Sequence, residues 1–537
     1  MKKSMLILLV VVLLAGCGGK LVPEPTAGAS PRPTDLPEWT GPIQPQDKHR
    51  VYYEIFPGGF YDNDGDGMGD LNGITMQLDY INDNRADSLT SLHAGGLWLM
   101  PIMPSPTYHK YDVTDYYNVD PAYGTLADFD RLAAACAERG IALVLDLVVN
   151  HTSSQHPWFL EACRALAAGE ESPFIDWYMF GQAGTPEWDE FKKMVGSGVY
   201  PVPGAPDWYY YGGFWSGMPD LNLDNEDLRQ EILDIGAFWL ARGATGFRLD
   251  ATAHFFEGNT ARNTAFLTWL QEGLGSEVYL VGEAWTDAGT ILSLYQSGIT
   301  SLFNFPFAMS TGTIISSVRT GDGAKLARAV ERWHGQILEA NPTAIDAPFL
   351  TNHDQARSSG ALMGRLELQK QAAAVYLLLS GNPFIYYGEE IGMMGGGDKD
   401  EDKRMPFVWS LTDSTGMPNP PKGATNKTLP TAGLDEQLLD PDSLVRFYID
   451  VIRIRNRYPT IARGLPIALD TGESAVCALQ LTWKGETIFI YHNLGKVPVT
   501  LTVSGALIET LAAGGERPTL FDNTLTLPPW STAVLIP

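Results

Sequence analysis

Four short stretches place side chains that could do chemistry at the end of an apolar run. They are "GFRLDATAH" (246–254), "DLVVNH" (146–151), "VGEAW" (281–285) and "LTNHD" (350–354). In an extended strand, residues two apart share a face, so Arg248 and Asp250 point to the same side. A guanidinium beside an aspartate keeps the carboxylate ionised, as a nucleophile requires. Taken alone, the pair could equally be a structural ion pair tying one strand to its neighbour. The other stretches repeat the theme with Asp146, Asn150 and His151, with Glu283, and with His353 and Asp354. Four apolar runs that each end in a carboxylate are hard to explain as packing. If the runs converge, they build one acidic pocket. Paired carboxylates suit glycosidic bond cleavage, where one attacks and the other donates a proton. Asp250 has its arginine. Glu283 has the apolar neighbours Val281, Ala284 and Trp285, which should raise its pKa and keep it protonated.

These residues need elements to position them. Eight apolar runs begin near residues 51, 96, 141, 246, 278, 301, 348 and 383. They alternate with amphipathic stretches such as "LADFDRLAAACAERG" and "EDLRQEILDIGAFWLARG". The second has Asp224 and Asn225 as candidate N-caps and closes on Gly243. The alternation predicts an α/β fold, a (β/α)8 TIM barrel over 48–151 and 218–455. Residues 152–217, rich in Trp, Tyr, Pro and Gly and without a convincing helix, are too long for an ordinary loop and read as an inserted domain. Residues 456–537 alternate apolar and polar positions and predict an antiparallel β-sandwich.

The N-terminus carries Lys2 and Lys3, a short apolar run from Met5 to Leu14, then "LAGC" ending at Cys17. This resembles a bacterial lipoprotein signal over 1–16, with lipid attached at Cys17 and a flexible tether over 17–47. A plain secretory signal is the alternative. An acyl anchor predicts an exported protein held at the cell surface or in the periplasm. Cys136, Cys163 and Cys477 lack metal-type spacing and give no disulfide framework. A formal charge of −26 argues against nucleic acid as a partner. A monomer is the default expectation, since nothing marks a subunit interface.

In order and position, the four stretches resemble the conserved regions of the α-amylase family, glycoside hydrolase family 13. "MPDLN" (218–222), "YHKYDVTDYYNVDPAYGT" (108–125) and "GNPFIYYGEEIG" (381–392) add to the likeness. The resemblance implies a retaining hydrolase of α-glucosidic bonds. It makes Asp250 the nucleophile, Glu283 the acid/base and Asp354 the group that grips sugar hydroxyls in the transition state. It implies that Arg248 orients the nucleophile and that His151, His353, Tyr111 and Asp112 line the subsite at the cleaved bond. Asp146 would be structural, and His254 would lie on the leaving-group side. Ala251 and Thr252 after the nucleophile lean toward α-1,4 bonds in starch or maltodextrins. Ala253 before His254 and the intermediate form of "MPDLN" keep an α-glucosidase or oligo-1,6-glucosidase as the runner-up. A non-catalytic surface protein that binds maltodextrin is the remaining alternative, disfavoured because all three carboxylates are present.

"DNDGDGMGD" sets Asp62, Asp64, Asp66 and Asp70 close together. Crowded carboxylates repel unless a cation neutralises them, and oxygen ligands suit Ca2+. The resemblance places a Ca2+ loop here, with the Met68 carbonyl as a further ligand. A second Ca2+ site from Asn150, Asp220 and the His254 carbonyl occurs in many family α-amylases but not in related glucosidases, and stays open.

Overall fold

A computed structural model describes residues 32–33, 39–41 and 43–537. Cys17, the signal segment and most of the tether lie outside them. Among the described residues no helix is long and apolar enough to cross a membrane.

Eight parallel segments close a barrel. They are β1 (Tyr52–Ile55), β2 (Gly96–Leu99), β3 (Ala142–Leu147), β4 (Gly246–Leu249), β5 (Tyr279–Gly282), β6 (Ser301–Leu302), β7 (347–349) and β8 (Phe384–Tyr386). β8, β1, β2, β3, β4, β5 and β6 are hydrogen-bonded in that order. β7 joins the two edges through the parallel bridges Phe303–Ala347 and Phe349–Phe384. Each segment matches one of the eight apolar runs. Their near-continuous burial explains why they read as unbroken apolar stretches rather than alternating ones.

The barrel interior changes character along its axis. At the strands' N-terminal ends, Tyr52 stacks between Tyr279 (5.0 Å) and Phe384 (4.7 Å). Position 96, opposite Tyr52 in the register, must be glycine, because a Cβ there would overlap the tyrosine ring. Aromatic packing plugs this end. At the C-terminal ends the interior is charged.

Helices wrap the outside. Leu126–Glu138 opens with a capping box between Thr125 and Asp128, and Cys136 lies on its buried face. Glu226–Ala241 is capped by Asn225, whose side chain accepts from Leu228 N–H at 2.9 Å, while Asp224 pairs with Arg262 instead. Such a cap contributes about 1 kcal/mol. All three described cysteines are buried and free.

Between β3 and β4 the chain leaves the barrel. The segment forms helices Pro157–Ala168 and Trp188–Val195 and a three-stranded antiparallel sheet of Phe180–Gln182, Ala205–Tyr211 and Val199–Val202. The first helix is missing from the expectation because its start is set by His156, an unusual cap, followed by Pro157. Phe159 from this helix packs on Tyr178, Phe180 and Tyr210, which joins helix to sheet.

The last barrel helix, Leu444–Arg457, is followed by the short helix Pro459–Arg463, so the antiparallel strands begin at Leu465. A five-stranded and a three-stranded sheet enclose a separate core that includes Val476, Tyr491, Leu501, Leu525 and Leu527. Each such buried aliphatic contributes roughly 1.5–3 kcal/mol.

Candidate active site

The four carboxylate-bearing strand ends meet at the mouth of the barrel. β3 and β4 pair in a register that sets Asp146 opposite Arg248. Arg248 is fully buried, its guanidinium packed over the rings of Trp98 (5.3 Å) and Tyr111 (5.5 Å). Its Nη1 donates to Asp250 Oδ1 (2.7 Å) and Asp146 Oδ1 (2.8 Å), and Nη2 lies 3.0 Å from Glu283 Oε2. One cation therefore touches three carboxylates. Both alternatives left open for Arg248 and Asp250 have a counterpart: Arg248, fully buried, ties the strands together, while Asp250 reaches the cavity wall.

The turn after β4 is unusual. Ala251 has φ +52°, a left-handed conformation that costs a non-glycine residue roughly 1–2 kcal/mol. The bonds that hold it run to one residue. Ala251 N–H donates to Glu283 Oε2 (3.2 Å), and Thr252 donates to the Glu283 carbonyl through N–H (2.8 Å) and hydroxyl (2.6 Å). The turn carrying Asp250 is thus locked to Glu283.

Burial raises Glu283 to about 7; Arg248 opposes this, while Asp250 and Asp354 add to it. The direction matches the sequence expectation. The cause is burial by the whole barrel mouth, with neighbouring carboxylates, rather than by the adjacent apolar residues alone. Burial also raises Asp146, to about 6, against the opposing pull of Arg248. Asp146 accepts from Trp98 Nε1–H and the Tyr111 hydroxyl, both at 3.1 Å, and is fully enclosed.

Asp354 is held differently. Burial would raise it, but His353 and Arg404 outweigh that and keep its carboxyl well below the usual range. Arg404 Nη2 donates to Asp354 Oδ1 (2.6 Å), and His353 Nε2 lies 3.0 Å from Oδ2. His353 Nδ1 pairs with Glu54 Oε1 at 2.6 Å. Burial lowers His353, yet Asp354 and Glu54 prevail and raise it to about 9. Its Nε2 also meets the Tyr111 hydroxyl at 2.8 Å.

The mouth holds a cavity of about 390 Å3, and Arg248 and His353 are buried behind its lining. Asp250, Glu283, Asp354, Tyr111, His151 and His254 all reach it. His151 is buried with an unpartnered Nε2, and burial lowers its pKa, so it presents a neutral ring. His254 is half-exposed and bonds Glu257 at 2.9 Å. Asp112 does not line the cavity. Ser105 and Thr107 donate to its carboxylate, which holds the loop behind Tyr111.

The sequence reading missed Glu54, His109, Arg404 and the aromatics at the rim. Phe214, Trp215 and Trp285 are about half exposed there, and Trp285 stacks on Phe305 at 5.4 Å. Arg404 sits in "DKDEDKRMPF", a charged run that looks like a solvated face. Only its contact with Asp354 reveals it.

In the 62–70 loop, ligand-type oxygens of Asp62, Asp64 and Asp70 lie within 4.8 Å of one another. Among the described residues no other group of three His, Cys, Asp or Glu is as close. Three converging carboxylates, with Asp70 buried, make a hard oxygen donor set that fits a divalent cation. Asp66 stands outside this group, its Oδ1 accepting from Met68 N–H at 2.8 Å. At the suggested second site, Asn150 Nδ2 donates directly to Asp220 Oδ2 (3.2 Å) and Gly213 N–H to Oδ1 (2.9 Å). Burial pushes Asp220 up to about 7, against the bonds from Gly213 and Asn150.

Residues 54–464 match the family described as "Alpha amylase, catalytic domain". "Alpha-amylase 3" of Dictyoglomus thermophilum is 36% identical over 500 residues, covering 92% of this chain and 94% of that protein. The solved α-amylase from H. orenii is 36% identical, with a TM-score of 0.80, covering 91% of this chain and 99% of that one. "Oligo-1,6-glucosidase" of Heyndrickxia coagulans is 28% identical over 495 residues, covering 78% of this chain and 86% of that protein. Several further relatives at 26–28% identity are named as glucosidases of 1,6 bonds or as trehalose-6-phosphate hydrolase.

Proposed function

Because the chain belongs to the α-amylase family and is thus a retaining glycosidase acting on α-glucosides, we propose that Asp250, Glu283 and Asp354 are its nucleophile, acid/base and transition-state stabiliser. The observation that carries this is the single buried guanidinium of Arg248 shared by Asp250 and Glu283 at the base of the cavity. Asp250 attacks the anomeric carbon while Glu283 gives its proton to the leaving glycosidic oxygen. The enzyme-bound glycosyl ester forms as that bond breaks. Glu283, now ionised, takes a proton from water, which attacks the same carbon and frees Asp250. Asp354, kept ionised by Arg404 and His353, accepts hydrogen bonds from sugar hydroxyls.

For the linkage we favour α-1,4 bonds of starch or maltodextrins, supported by Ala251–Thr252 and by the amylase names of the more similar relatives. The second reading, an α-glucosidase or oligo-1,6-glucosidase, has the larger number of named relatives behind it. Soluble starch and isomaltose, given separately to the purified enzyme, distinguish them when products are followed by size and anomeric form. Short α-anomeric maltooligosaccharides from starch support the first reading. Glucose from isomaltose with starch untouched overturns it in favour of the second.

Ca2+ is the proposed occupant of Asp62, Asp64 and Asp70, with Asp66 and the Met68 carbonyl as further ligands implied by family resemblance; it would supply loop stability. A second Ca2+ site at Asn150, Asp220 and the His254 carbonyl stays open, with Asn150 and Asp220 already in contact with each other. Lipid attachment at Cys17, and with it an exported, membrane-anchored location, rests on the N-terminal sequence. Incorporation of labelled fatty acid that Cys17→Ala fails to abolish would sink it.

A further inference from the structure

Glu54 is a carboxylate inside the barrel that the reaction above does not use. On β1 it shares the inward face with Tyr52, and the register sets it opposite Trp98 on β2 and Tyr386 on β8. Tyr52 belongs to the aromatic plug, so Glu54 lies one layer higher, beneath the mouth. It is buried, and a buried carboxylate needs a partner. That partner is the fully buried ring of His353, whose Nδ1 lies 2.6 Å from Glu54 Oε1.

The surrounding bonds fix where the protons of that ring are. Oε1 also takes the His353 backbone N–H at 3.4 Å, which marks it as an acceptor, so Nδ1 carries a hydrogen. On the far side of the ring, Nε2 meets the Tyr111 hydroxyl at 2.8 Å. That hydroxyl gives its own proton to Asp146 Oδ2 (3.1 Å) and accepts from Arg248 Nη1 (3.3 Å). It has no second proton to offer, so Nε2 is the donor. Nε2 also faces Asp354 Oδ2 at 3.0 Å, and a carboxylate only accepts. Both ring nitrogens are therefore protonated. The result is an imidazolium clamped between two carboxylates, one on β1 and one at the mouth. The other groups against it are the edge of Trp98 at 5.7 Å and Arg404, whose Nε donates to the His353 carbonyl at 3.2 Å. Asp146 and Glu283 feel its charge from farther away. Burial opposes that charge, yet Asp354 and Glu54 raise His353 to about 9.

We propose that Glu54 is a positioning residue: it holds His353 as an imidazolium, which in turn fixes Asp354 Oδ2 and the Tyr111 hydroxyl for the transition state. The proposal rests on the functional reading above, in which Asp354 grips the sugar hydroxyls. Glu54→Gln keeps the shape and an oxygen able to accept from Nδ1, but removes the charge. His353 should then lose its Nε2 proton at a pH lower by at least about one unit. Above that pH, Asp354 and Tyr111 lose their shared donor.

Two measurements test this on the full chain. The first is NMR of histidine-labelled protein, titrated with and without Glu54→Gln, the His353 signal being the one that His353→Gln removes. The second is the rate on the accepted α-glucan, taken relative to the unsubstituted enzyme at each pH. The substitution should lower kcat roughly 10–100-fold near pH 8, with less change in KM, and the loss should shrink toward pH 5 as the ring regains its proton. A neutral His353 in the unsubstituted protein at pH 7 overturns the proposal. So does a titration that Glu54→Gln leaves in place, or a rate loss of equal size at pH 5 and pH 8, as a purely structural defect would give. Should the variant misfold, the unsubstituted protein still decides: a doubly protonated ring at pH 8 upholds the proposal and a neutral one sinks it. Absence of turnover in the unsubstituted enzyme removes the functional reading, while the titration still decides whether Glu54 holds the charge on His353.

Discussion

Two clusters of buried carboxylates lie at opposite sides of β8, and they solve the same problem in different ways. At the barrel mouth, Asp146, Asp250, Glu283 and Asp354 face Arg248, Arg404 and His353. Behind the strand, Glu389 and Glu390 face phenols. Glu389 accepts from the hydroxyls of Tyr376 (2.6 Å) and Tyr448 (2.9 Å), and Glu390 from those of Tyr53 (2.6 Å) and Tyr80 (2.8 Å). Arg357 is nearby, but it lies over the rings of Tyr386 and Tyr387 and donates to the Tyr387 carbonyl. Burial pushes Glu389 up to about 8 and raises Glu390 as well. At the mouth, His353 and Arg404 hold Asp354 down, while burial outweighs Arg248 at Glu283 and Asp146. Behind the strand no cation bonds the acids directly, and burial raises both of them. The mouth alone separates its members, with Asp354 driven down and Glu283 up, which sets a fixed anion beside a proton donor.

The largest effects should come from removing charge at the mouth. Asp250→Asn should abolish hydrolysis of the accepted α-glucan, a loss of at least about 10³-fold in kcat. Retention of full activity would mean the nucleophile is elsewhere. Glu283→Gln should cost roughly 10²–10⁴-fold. In the unsubstituted enzyme, protonated Glu283 is needed for the first step, so kcat/KM should fall as pH rises through about 7. A rate flat to pH 9 would break the assignment of Glu283 as the acid.

Arg248→Met should act on stability as well as rate. It strands three carboxylates that share one guanidinium, and breaking such a buried pair costs about 3–5 kcal/mol. Urea unfolding at pH 7 reads this. A loss below about 1 kcal/mol would show that water or protonation replaces the arginine easily, which would erase the contrast between the clusters.

How far this was visible beforehand follows from the same contrast. The mouth residues were legible because polar groups closing apolar strands violate the packing pattern, and strand ends in a barrel converge. The barrel's eight strands were legible for a related reason, since parallel strands buried on both faces read as continuous apolar runs. Arg404 was hidden because its sequence neighbours are charged, and Glu54 because it sits inside a strand with no polar company. Asp112 was assigned to the subsite by resemblance; Ser105 and Thr107 hold one of its oxygens, Oδ1, just outside the cavity lining. The helices of the inserted segment were obscured by an aromatic-rich composition that carries no clear period.

The 62–70 loop offers a third solution, a metal cation instead of arginine or proton. If Ca2+ neutralises Asp62, Asp64 and Asp70, chelation should lower the unfolding temperature, and Ca2+ at about 100 times its Kd should return roughly 2.7 kcal/mol. Asp64→Asn should blunt that response while leaving the fold intact, because Asp64 is exposed. An unfolding curve indifferent to chelator would leave the cluster as a solvated acidic loop.

The smallest effect should be the most telling about the pair behind β8. Glu389 has a folded pKa of about 8, above its ordinary value of 4.5. The folded state therefore holds the proton more tightly than the unfolded chain. Its contribution is fully present below about pH 4.5 and is lost progressively as pH rises to about 8. Glu389→Gln keeps the shape and an oxygen able to accept from both tyrosines, since one Glu389 oxygen takes both bonds. The new amide can donate toward Ser358, now 3.4 Å from the other oxygen. Near pH 5 the substitution should change stability by less than about 1 kcal/mol. Above pH 8 the variant should be the more stable protein, because it has no proton to lose. A large loss at pH 5 would mean that Glu389 is ionised and paired after all, and the two clusters would then obey one rule instead of two.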